Sequence, residues 1–310
     1  MKILVTGGAG FIGGHLVSEL VKIGAKVSVL DIKVNSKSFF ALQNLSSHVS
    51  LDVVDIRDKE KVFEYFDKSS FNYVFHLAAE PIVEEAFIDP YSAFETNIMG
   101  TVNILEAVRK NKKIKGIIAA SSDKAYGKTK KAYTEKDSLK GDHPYDVSKS
   151  SMDLICQSYF ATYNLPIAIT RFGNVYGEGD LHFDRIIPGI CKAVIRNEAL
   201  DIRSDGTYVR DYLYVKDVVN GCITLLKNID IIHGEAFNFS SKDNLSVMEL
   251  ISKAEKLLDT KINYKILNNV KNEIPYQHLN DSKIRMFGWK SEYDFNSTLK
   301  TTLQWYKRVL

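Results

Sequence analysis

A glycine-rich turn near the start of the chain constrains the fold more than any other feature of the sequence. Residues 6–13 read TGGAGFIG, in which Gly7, Gly10 and Gly13 are spaced three residues apart. A β-branched run precedes the turn, and a helical pattern at about 11–23 follows it. Glycine lets the backbone turn tightly, approach a ligand closely and pack the helix on the strand, while the helix N-terminus offers N–H groups to an anion. The motif therefore predicts a strand, a pyrophosphate-binding turn and a helix.

An acidic residue after the second predicted strand indicates which dinucleotide this turn would bind. Asp31 lies about 20 residues beyond the turn, where its carboxylate can accept hydrogen bonds from the adenosine ribose hydroxyls. The same charge would repel a 2′-phosphate, so Asp31 favours NAD as the cofactor; the alternative is a solvated carboxylate at a strand end. The other residues predicted to line the cofactor site begin the first helix or follow the third and fourth strands: Phe11, Ile12, Asp55, Ile56, Leu77, Ala78 and Ala79.

The first half of the chain alternates short β-branched runs with longer helical patterns. Such alternation predicts a parallel sheet covered by helices on both faces and joined by right-handed crossovers. The predicted strands are Lys2–Thr6, Lys26–Leu30, Val49–Val54, Tyr73–Leu77, Ile114–Ser121 and Ile167–Arg171. The predicted helices are 11–23, 58–67, 90–111 and 145–163. We therefore expect an α/β fold with a doubly wound parallel sheet of the Rossmann type, whose ligand lies across the carboxyl ends of the strands.

The regular alternation of strand and helix patterns ends after Arg171. Glycine and proline punctuate the next stretch, and the later elements are shorter and mixed, which predicts a smaller mixed α/β lobe that binds substrate. An amphipathic pattern at Phe295–Val309 predicts a final helix. The expected domains are an NAD-binding domain of residues 1–172 plus about 211–239, and a substrate domain of residues 173–210 and 240–310.

Composition excludes several classes of protein. Hydrophobic residues make up 45% of the 310 residues and charged residues 25%, values that argue against disorder and against a membrane protein. The net charge of +3 is small and Lys is spread along the chain, so no nucleic-acid partner is expected. No leader is recognisable, which predicts a cytoplasmic protein. The cysteines are too far apart to predict a disulfide framework or a metal site: Cys156, Cys191 and Cys222.

A Tyr-x-x-x-Lys pair, Tyr145 and Lys149, is the strongest catalytic candidate. Residues four apart lie on one face of a helix, so the lysine ammonium is expected to lower the pKa of the tyrosine. Such a tyrosine can take a proton from a sugar hydroxyl while the carbon gives hydride to nicotinamide. The pair follows a predicted strand that ends near Ser122, whose hydroxyl can bind the same substrate oxygen. Taken alone, the motif also fits a pair of surface residues.

Together these motifs resemble the extended short-chain dehydrogenase/reductase family along nearly the whole chain. The matching stretches are TGGAGFIG at 6–13, HLAA at 76–79, NIMGTVNILEA at 97–107, SSDKAYG at 121–127, PYDVSK at 144–149, RFGNVYG at 171–177 and RDYLYVKDV at 210–218. The resemblance implies that Ser122, Tyr145 and Lys149 form an oxidation site that acts on nucleotide sugars. It further implies that Asn97 is the structural and relay asparagine of the family.

The residues after Ser122 indicate a reaction within that family. Its dehydratases carry an acidic pair at this place, commonly Thr-Asp-Glu, whereas this chain has Ser122-Asp123-Lys124. An Asp-Lys pair resembles CDP-glucose 4,6-dehydratases and the inverting UDP-N-acetylglucosamine dehydratases. This implies a 4,6-dehydratase in which Lys124, neutral through desolvation, takes the C5 proton and Asp123 protonates the departing C6 hydroxyl. The alternatives are a 4-epimerase or 4-dehydrogenase, a non-catalytic dinucleotide sensor, and a mere surface ion pair of Asp123 with Lys124.

Nucleotide-sugar recognition is expected in the later part of the chain. By resemblance, Arg210 binds the pyrophosphate and Asn174 binds the pyrophosphate or the sugar; further substrate-binding candidates are Glu80, Arg185 and Arg203. The predicted helices at 90–111 and 145–163 are apolar on more than one face, so either a second subunit or the smaller lobe is expected to cover them. The resemblance implies a homodimer built on a four-helix bundle.

Overall fold

The computed structural model describes residues 1–129, 131–269 and 273–310. The strands in these ranges are β1 (Lys2–Thr6), β2 (Lys26–Asp31), β3 (Ser50–Val53), β4 (Tyr73–His76), β5 (Gly116–Ala120), β6 (Ile167–Phe172), β7 (Asn174–Tyr176), β8 (Leu200–Ile202), β9 (Val209–Tyr214), β10 (Ala236–Phe239), β11 (Asn244–Ser246) and β12 (Tyr264–Ile266). The helices are α1 (Phe11–Lys22), α2 (Phe39–Leu42), α3 (Lys59–Lys68), α4 (Val83–Ile88), α5 (Pro90–Phe94), α6 (Thr101–Lys110), α7 (Pro144–Tyr163), α8 (Ile186–Arg196), α9 (Val215–Lys227), α10 (Val247–Leu258), α11 (Ser282–Arg285) and α12 (Phe295–Val309).

The central sheet confirms the predicted doubly wound α/β fold. Within the described ranges it has seven strands in the order β10-β6-β5-β4-β1-β2-β3, and every neighbouring pair is parallel. The chain starts at β1, moves outward through β2 and β3, and then crosses to β4 on the other side of β1. The strand order therefore reverses between β1 and β4, and a ligand crevice is expected at the carboxyl ends of these two strands.

Helices cover both faces of this sheet, and the alternation of side chains along β1 shows why. Ile3 and Val5 point into an apolar cluster that includes Leu16 of α1 and Cys222 of α9. Leu4, between them, points into a second cluster on the opposite face, formed with residues of α3, α6 and α7. Because successive side chains of a strand face opposite ways, a strand buried on both faces has a continuous apolar sequence.

Two smaller sheets follow the central one in the described part of the chain. One has the order β11-β9-β7, with β9 parallel to β7 and antiparallel to β11, and the other pairs β12 with β8. This confirms a smaller mixed α/β part, in which α12 has the bounds expected from the sequence. The division of the chain into domains at the predicted boundaries stays a prediction.

The helix predicted at 90–111 extends without a break from Pro90 to Lys110 and contains a π-helical turn. Asp89 caps α5 through a hydrogen bond from the Ser92 N–H, and Pro90 occupies the first turn, where its missing N–H costs nothing. A π-helical turn then spans Glu95–Gly100 before α6 begins. The extra residue in that turn sets Asn97 inward, at 1% exposure.

Candidate active site

The glycine turn forms a cradle whose shape excludes side chains on one side and leaves the other side open. A Cβ on Gly7, whose φ is +70°, would lie 2.8 Å from the Ala78 nitrogen, and a Cβ on Gly13 would lie 2.0 Å from the Gly7 carbonyl oxygen. By contrast, a Cβ on Gly10 would meet only that carbonyl, at 3.2 Å, and Gly10 is exposed. The turn therefore packs against β4 and presents its backbone outward at the N-terminus of α1, an arrangement that fits a pyrophosphate.

Asp31 lies beside this turn at the end of β2. Its Oδ2 accepts a hydrogen bond from the Ala9 N–H at 2.9 Å, and its Oδ1 accepts one from the Ile32 N–H at 2.8 Å. Burial raises the pKa of Asp31, an effect that the hydrogen bonds from Ala9 and Ile32 oppose. A carboxylate held at this place provides the acceptor that an adenosine ribose needs, so the turn and Asp31 together fit NAD.

The remaining predicted cofactor residues lie around the same crevice. Phe11 and Ile12 form the first turn of α1 and are half-buried, and Leu77, Ala78 and Ala79 follow β4. The Leu77 and Ala78 N–H groups donate to the Thr6 carbonyl oxygen and the Thr6 hydroxyl, which holds the end of β4 against the glycine turn.

Asp55 and Ile56, which were also predicted to line the cofactor site, have protein partners of their own. The Arg57 side chain donates to both carboxylate oxygens of Asp55, at 2.6 to 3.1 Å, and this pairing lowers the pKa of Asp55. Ile56 is 3% exposed and packs against Gly100, where a Cβ would lie 2.6 Å from the Ile56 side chain.

Ser122 and Asp123 stand at the carboxyl end of β5, in a buried turn. Ser122 caps the short 3-10 helix Asp123–Tyr126: its Oγ accepts from the Lys124 N–H at 3.2 Å and donates to Asp123 Oδ1 at 3.1 Å. Asp123 is 2% exposed, and this burial raises its pKa. The residue is therefore no surface carboxylate, and burial shifts its equilibrium toward the protonated form.

Tyr145 and Lys149 lie on α7, directly opposite this turn. Pro144 begins the helix, and the His143 side chain accepts from the Tyr145 N–H, which fixes the first turn. Lys149 is buried, its Nζ donates to the Ala120 carbonyl oxygen at 3.1 Å, and burial lowers the pKa of Lys149 to about 8. These contacts place the lysine beside the end of β5.

The expected low pKa of the tyrosine is not found in this arrangement. Burial raises the pKa of Tyr145, and this outweighs the lowering effects of the Arg185 charge and of a hydrogen bond with Ser122. The expectation was wrong because the spacing of a helix gives proximity to a lysine, whereas the cost of ionising a phenol depends on how deeply packing buries it.

Asn97 connects the cofactor side of the site to α7. Its Nδ2 donates to Ser148 Oγ at 2.8 Å and to the Glu80 carbonyl oxygen at 3.1 Å, and its Oδ1 accepts from the Glu80 N–H at 2.7 Å. Glu80 is thereby fixed through its backbone, and its own carboxylate accepts from the Ile82 N–H. Asn97 acts here as a structural clamp.

Two residues that the sequence analysis missed lie next to Asp123 and Lys124. Gln277 is 1% exposed; its Nε2 donates to Asp123 Oδ2 at 3.0 Å, and its Oε1 accepts from Lys124 Nζ at 3.1 Å. Asp146 is also buried, which raises its pKa to about 7, while the charge of Lys124 lowers it and that of Asp123 raises it. No sequence motif contains Gln277. Asp146, by contrast, directly follows Tyr145 in the Tyr-x-x-x-Lys motif, so its position in the sequence could have indicated a place in the site.

The predicted substrate arginines differ in their surroundings. Arg210 is buried, with its guanidinium 2.9 Å from Glu273, and its charge acts on Asp123. Arg185 is 3.3 Å from Asp180, and its charge acts on Tyr145. These two cations therefore flank the catalytic candidates.

Two other substrate candidates, Arg203 and Asn174, have different surroundings. Arg203 lies at the surface, 2.9 Å from Glu84 and 3.8 Å from Asp184, so its charge is already balanced. The buried Nδ2 of Asn174 has no hydrogen-bond partner among the residues that the structure describes. Since a buried donor is costly to leave unpaired, Asn174 is suited to a ligand acceptor.

Residues 1–129, 131–269 and 273–310 contain no group of three or more His, Cys, Asp or Glu side chains placed to hold a metal ion. Over the same ranges, no helix has both the length and the apolar character needed to cross a bilayer.

Comparison with known proteins relates this chain to nucleotide-sugar enzymes. A model of the NAD dependent epimerase/dehydratase family matches residues 3–239. A UDP-N-acetyl-alpha-D-glucosaminuronate decarboxylase of Bacillus cytotoxicus is 31% identical over 323 residues, which cover 99% of this chain and 98% of that protein. The dTDP-glucose 4,6-dehydratase of Escherichia coli is 30% identical over 341 residues, which cover 99% and 92%. The CDP-glucose 4,6-dehydratase of Salmonella typhimurium is 28% identical over 325 residues, which cover 99% and 90%.

This chain matches only part of one longer relative. The chain spans 47% of a trifunctional UDP-glucose 4,6-dehydratase, 3,5-epimerase and reductase of Arabidopsis thaliana, to which it is 29% identical over 321 residues.

Solved structures show the same fold over the full chain. The UDP-glucuronic acid 4-epimerase of Bacillus cereus, in complex with UDP-glucuronic acid and NAD, has a TM-score of 0.92, with 28% identity and complete coverage of both chains. The dTDP-glucose 4,6-dehydratase of Streptomyces venezuelae, with NAD bound, has a TM-score of 0.90, with 27% identity and coverage of 99% and 97%. These structural relatives therefore include both an epimerase and a dehydratase.

Proposed function

The chain belongs to the NAD dependent epimerase/dehydratase family, and on that premise we propose that it is a nucleotide-sugar 4,6-dehydratase. One observation carries the proposal: a buried carboxyl, Asp123, and an amine, Lys124, lie beside Ser122 and opposite Tyr145. A sugar oxidation at C4 needs the tyrosine and the serine. An elimination needs, in addition, an acid and a base, and this pair supplies both.

NAD is the cofactor, and the backbone cradle of Gly7, Gly10 and Gly13 and the carboxylate of Asp31 would hold it. When bound, it supplies a hydride acceptor at C4 that can return the hydride to C6, so that no net oxidation results. Lys149 of α7, whose Nζ binds the end of β5, would lie near its nicotinamide ribose.

In this proposal Tyr145 takes the proton of the C4 hydroxyl, assisted by Ser122. Burial holds the pKa of Tyr145 high, so ionisation depends on neighbouring charge, and Arg185 already acts in that direction. The resulting ketone makes the neighbouring C5–H acidic. Lys124 takes the C5 proton, and Asp123 protonates the C6 hydroxyl, which leaves as water; when C6 is reduced, C5 regains a proton from Lys124 that can exchange with solvent.

Substrate binding is proposed for the side chains that line the other wall of the crevice. Arg210 and Arg185 would bind the diphosphate, in place of their present carboxylate partners, because guanidinium groups bind phosphate oxygens in the same geometry. Asn174 would give its unpaired N–H to the diphosphate or sugar. Glu80 and Arg203 are further candidates for substrate binding. The pair Asp123-Lys124, which resembles that of CDP-glucose 4,6-dehydratases, makes CDP-glucose the first substrate to test.

A 4-epimerase is the second candidate. The solved epimerase from Bacillus cereus matches this chain along its whole length, with a TM-score of 0.92. An epimerase needs Ser122, Tyr145 and Lys149 but neither loses the C6 hydroxyl nor exchanges the C5 hydrogen. The two reactions therefore leave different masses in the sugar.

The test is incubation of the purified protein with NAD and CDP-, UDP-, GDP- or dTDP-glucose, and separately with UDP-glucuronic acid, in heavy water, followed by chromatography and mass spectrometry. A 4,6-dehydratase yields a product that has lost one water and gained deuterium at C5. An isomer of unchanged mass indicates the epimerase, and loss of carbon dioxide from a nucleotide uronic acid would indicate a decarboxylase; either result contradicts the proposal.

Lys124→Ala separates the proposed base from the oxidation residues. We expect it to slow water loss about 100-fold or more while C4 oxidation, seen as near-ultraviolet absorbance of the reduced cofactor, persists. Lys128→Ala is the matched control, because Lys128 pairs with Asp142 at the surface, at 2.9 Å. Normal water loss by the Lys124 variant would refute the role of the base.

We also propose a cytoplasmic homodimer. The cysteines are free thiols, as expected in a reducing compartment. Several large apolar side chains are exposed on α7 and on the elements packed against it: Phe87, Ile88, Tyr91, Met99 and Leu154. Exposed large apolar side chains on neighbouring elements are characteristic of a protein interface, and a second copy that presents the same helices would cover them.

A further inference from the structure

One glutamine side chain joins the two residues to which the proposed elimination assigns proton transfer. Gln277 donates from Nε2 to Asp123 Oδ2 at 3.0 Å, and its Oε1 accepts from Lys124 Nζ at 3.1 Å. It is 1% exposed. The nitrogen of this buried amide thus binds Asp123, and its oxygen binds Lys124.

The backbone on both sides of Gln277 is held in place, so the direction of its side chain is fixed. The Gln277 N–H donates to the Val209 carbonyl oxygen at 3.1 Å, and its own carbonyl oxygen accepts from Asn244 Nδ2 at 3.0 Å. Asp211 binds the next two residues, accepting from the Leu279 N–H at 2.9 Å and pairing with the His278 ring at 2.7 Å. These contacts attach Gln277 to β9 of the smaller sheet.

The bridge has a chemical consequence for the pair. If an amine and a carboxyl contacted each other directly, they would form an ammonium–carboxylate pair, in which the base is already protonated and the acid already ionised. An amide between them accepts from a neutral amine, which still has N–H donors, and donates to the carbonyl oxygen of a protonated carboxyl. The bridge is therefore compatible with the protonation states that elimination requires.

We propose that Gln277 is a positioning residue for the elimination step, which holds Asp123 and Lys124 apart and aims both at the C5–C6 bond of the sugar. This inference rests on the proposed 4,6-dehydratase activity. It also makes the elimination pair dependent on the smaller lobe, because Gln277 reaches it from a segment bound to β9.

The first test replaces Gln277 with methionine, which keeps the length and removes both hydrogen bonds. Because a misplaced acid or base loses much of its catalytic effect, kcat for water loss should fall about 10- to 100-fold. We expect KM to change less than about threefold, C4 oxidation to persist, and the pH profile of kcat to shift. Gln157→Met is the matched control, because Gln157 also donates to a buried aspartate, Asp153, at 2.8 Å, outside the site.

A second measurement does not depend on turnover. Carbon-13 NMR of the carboxyl groups gives the pKa of Asp123, which burial already raises. Because Gln277→Met and Gln277→Glu each remove a donor to the ionised carboxylate, the pKa of Asp123 should rise further in both variants and stay unchanged in the Gln157 control. Gln277→Glu also places a carboxylate against Lys124, which favours the ammonium form of the lysine, so we expect this variant to recover no turnover.

The two proposals fail in different ways. If the wild-type protein removes water from no nucleotide sugar, the proposed function is wrong, and the NMR measurement still decides whether Gln277 holds the carboxyl. If the wild-type protein dehydrates its substrate and Gln277→Met does so with the same kcat, pH profile and Asp123 pKa, the positioning role is wrong.

Discussion

Tyr145 shows how burial and catalysis oppose each other at a single residue. Its phenol is buried, which raises its pKa, yet the proposed oxidation requires it to accept a proton. The Arg185 charge and the Ser122 hydrogen bond favour ionisation, and Lys149, whose pKa burial lowers to about 8, stands on the same face of α7. The phenol therefore depends on the charges around it.

Removal of the Tyr145 hydroxyl should stop the oxidation without unfolding the site. We expect Tyr145→Phe to lower kcat by about 100- to 10,000-fold, the usual effect of losing a general base. Affinity for NAD, measured by calorimetry, should change little because the glycine turn and Asp31 are untouched. Tyr159→Phe is the control on the same helix, since the Tyr159 hydroxyl binds Glu106 instead. Equal losses in both variants would contradict the role of Tyr145.

Asp146 should give the stability of the protein a distinct pH dependence. Its pKa is raised from 3.8 to about 7 in the folded protein, mainly by burial. The folded state therefore holds a proton that the unfolded chain has lost, and its stabilising effect is complete below about pH 4 and lost as the pH rises through 7. Relative to Asp146→Asn, the wild-type protein should lose about 2 kcal/mol of unfolding free energy between pH 5 and 8. Urea titrations at both pH values measure this, and parallel profiles would contradict it.

The residues predicted from the sequence were those whose roles are set by local spacing. The glycine turn, Asp31 and the pair Tyr145 and Lys149 belong to short motifs, and the structure brings these motifs to one edge of the sheet. Gln277 could not be found in that way, because its contact with Asp123 joins residues 154 positions apart. The high pKa of Tyr145 was missed for the same reason, since it depends on packing.

At the level of elements, the strands were predicted well because buried parallel strands have continuous apolar sequences. The predicted strand Ile114–Ser121 was too long, because β5 spans only Gly116–Ala120. At Gly116 the strand packs closely on Ile229: a Cβ there would lie 2.6 Å from the Ile229 side chain. The π-helical turn at Glu95–Gly100 has no sequence pattern of its own, because it arises where α5 and α6 pack on α7.

The join between β1 and α1 allows a matched pair of substitutions. A Cβ at Gly13 would lie 2.0 Å from the Gly7 carbonyl oxygen, whereas a Cβ at Gly14 would lie 3.2 Å from the Phe40 nitrogen. We expect Gly13→Ala to cost about 1 to 3 kcal/mol of stability and to weaken NAD binding at least about tenfold, because the turn must open. Gly14→Ala should stay within about 1 kcal/mol of wild type, since alanine favours the helix. Thermal unfolding and calorimetry compare the two, and equal effects would contradict the close packing of the turn.

At the level of the whole molecule, the site draws on both parts of the fold. The central sheet provides the cofactor cradle and the oxidation residues, and the smaller sheet provides Arg210 and Asn174, with Gln277 bound to its β9 strand. The change of sequence pattern after Arg171 predicted that a second, smaller lobe would bind the substrate. It did not predict which side chains cross between the two parts, because that depends on how the sheets pack.

The apolar face on α7 yields a prediction about assembly. Leu154 is 53% exposed, and Met99, in the turn before α6, is 52% exposed. If a second copy covers them, the wild-type protein should sediment at about twice 35.0 kDa. Leu154→Glu would place a charge in that interface, where desolvation is costly, and should shift the protein toward the monomer without loss of its far-ultraviolet circular dichroism. Ile231→Glu is the control, because Ile231 is 75% exposed, lies on none of α4, α5, α7 or the turn Glu95–Gly100, and should leave the dimer intact. A wild-type monomer, or a dimer unaffected by Leu154→Glu, would contradict the proposed interface.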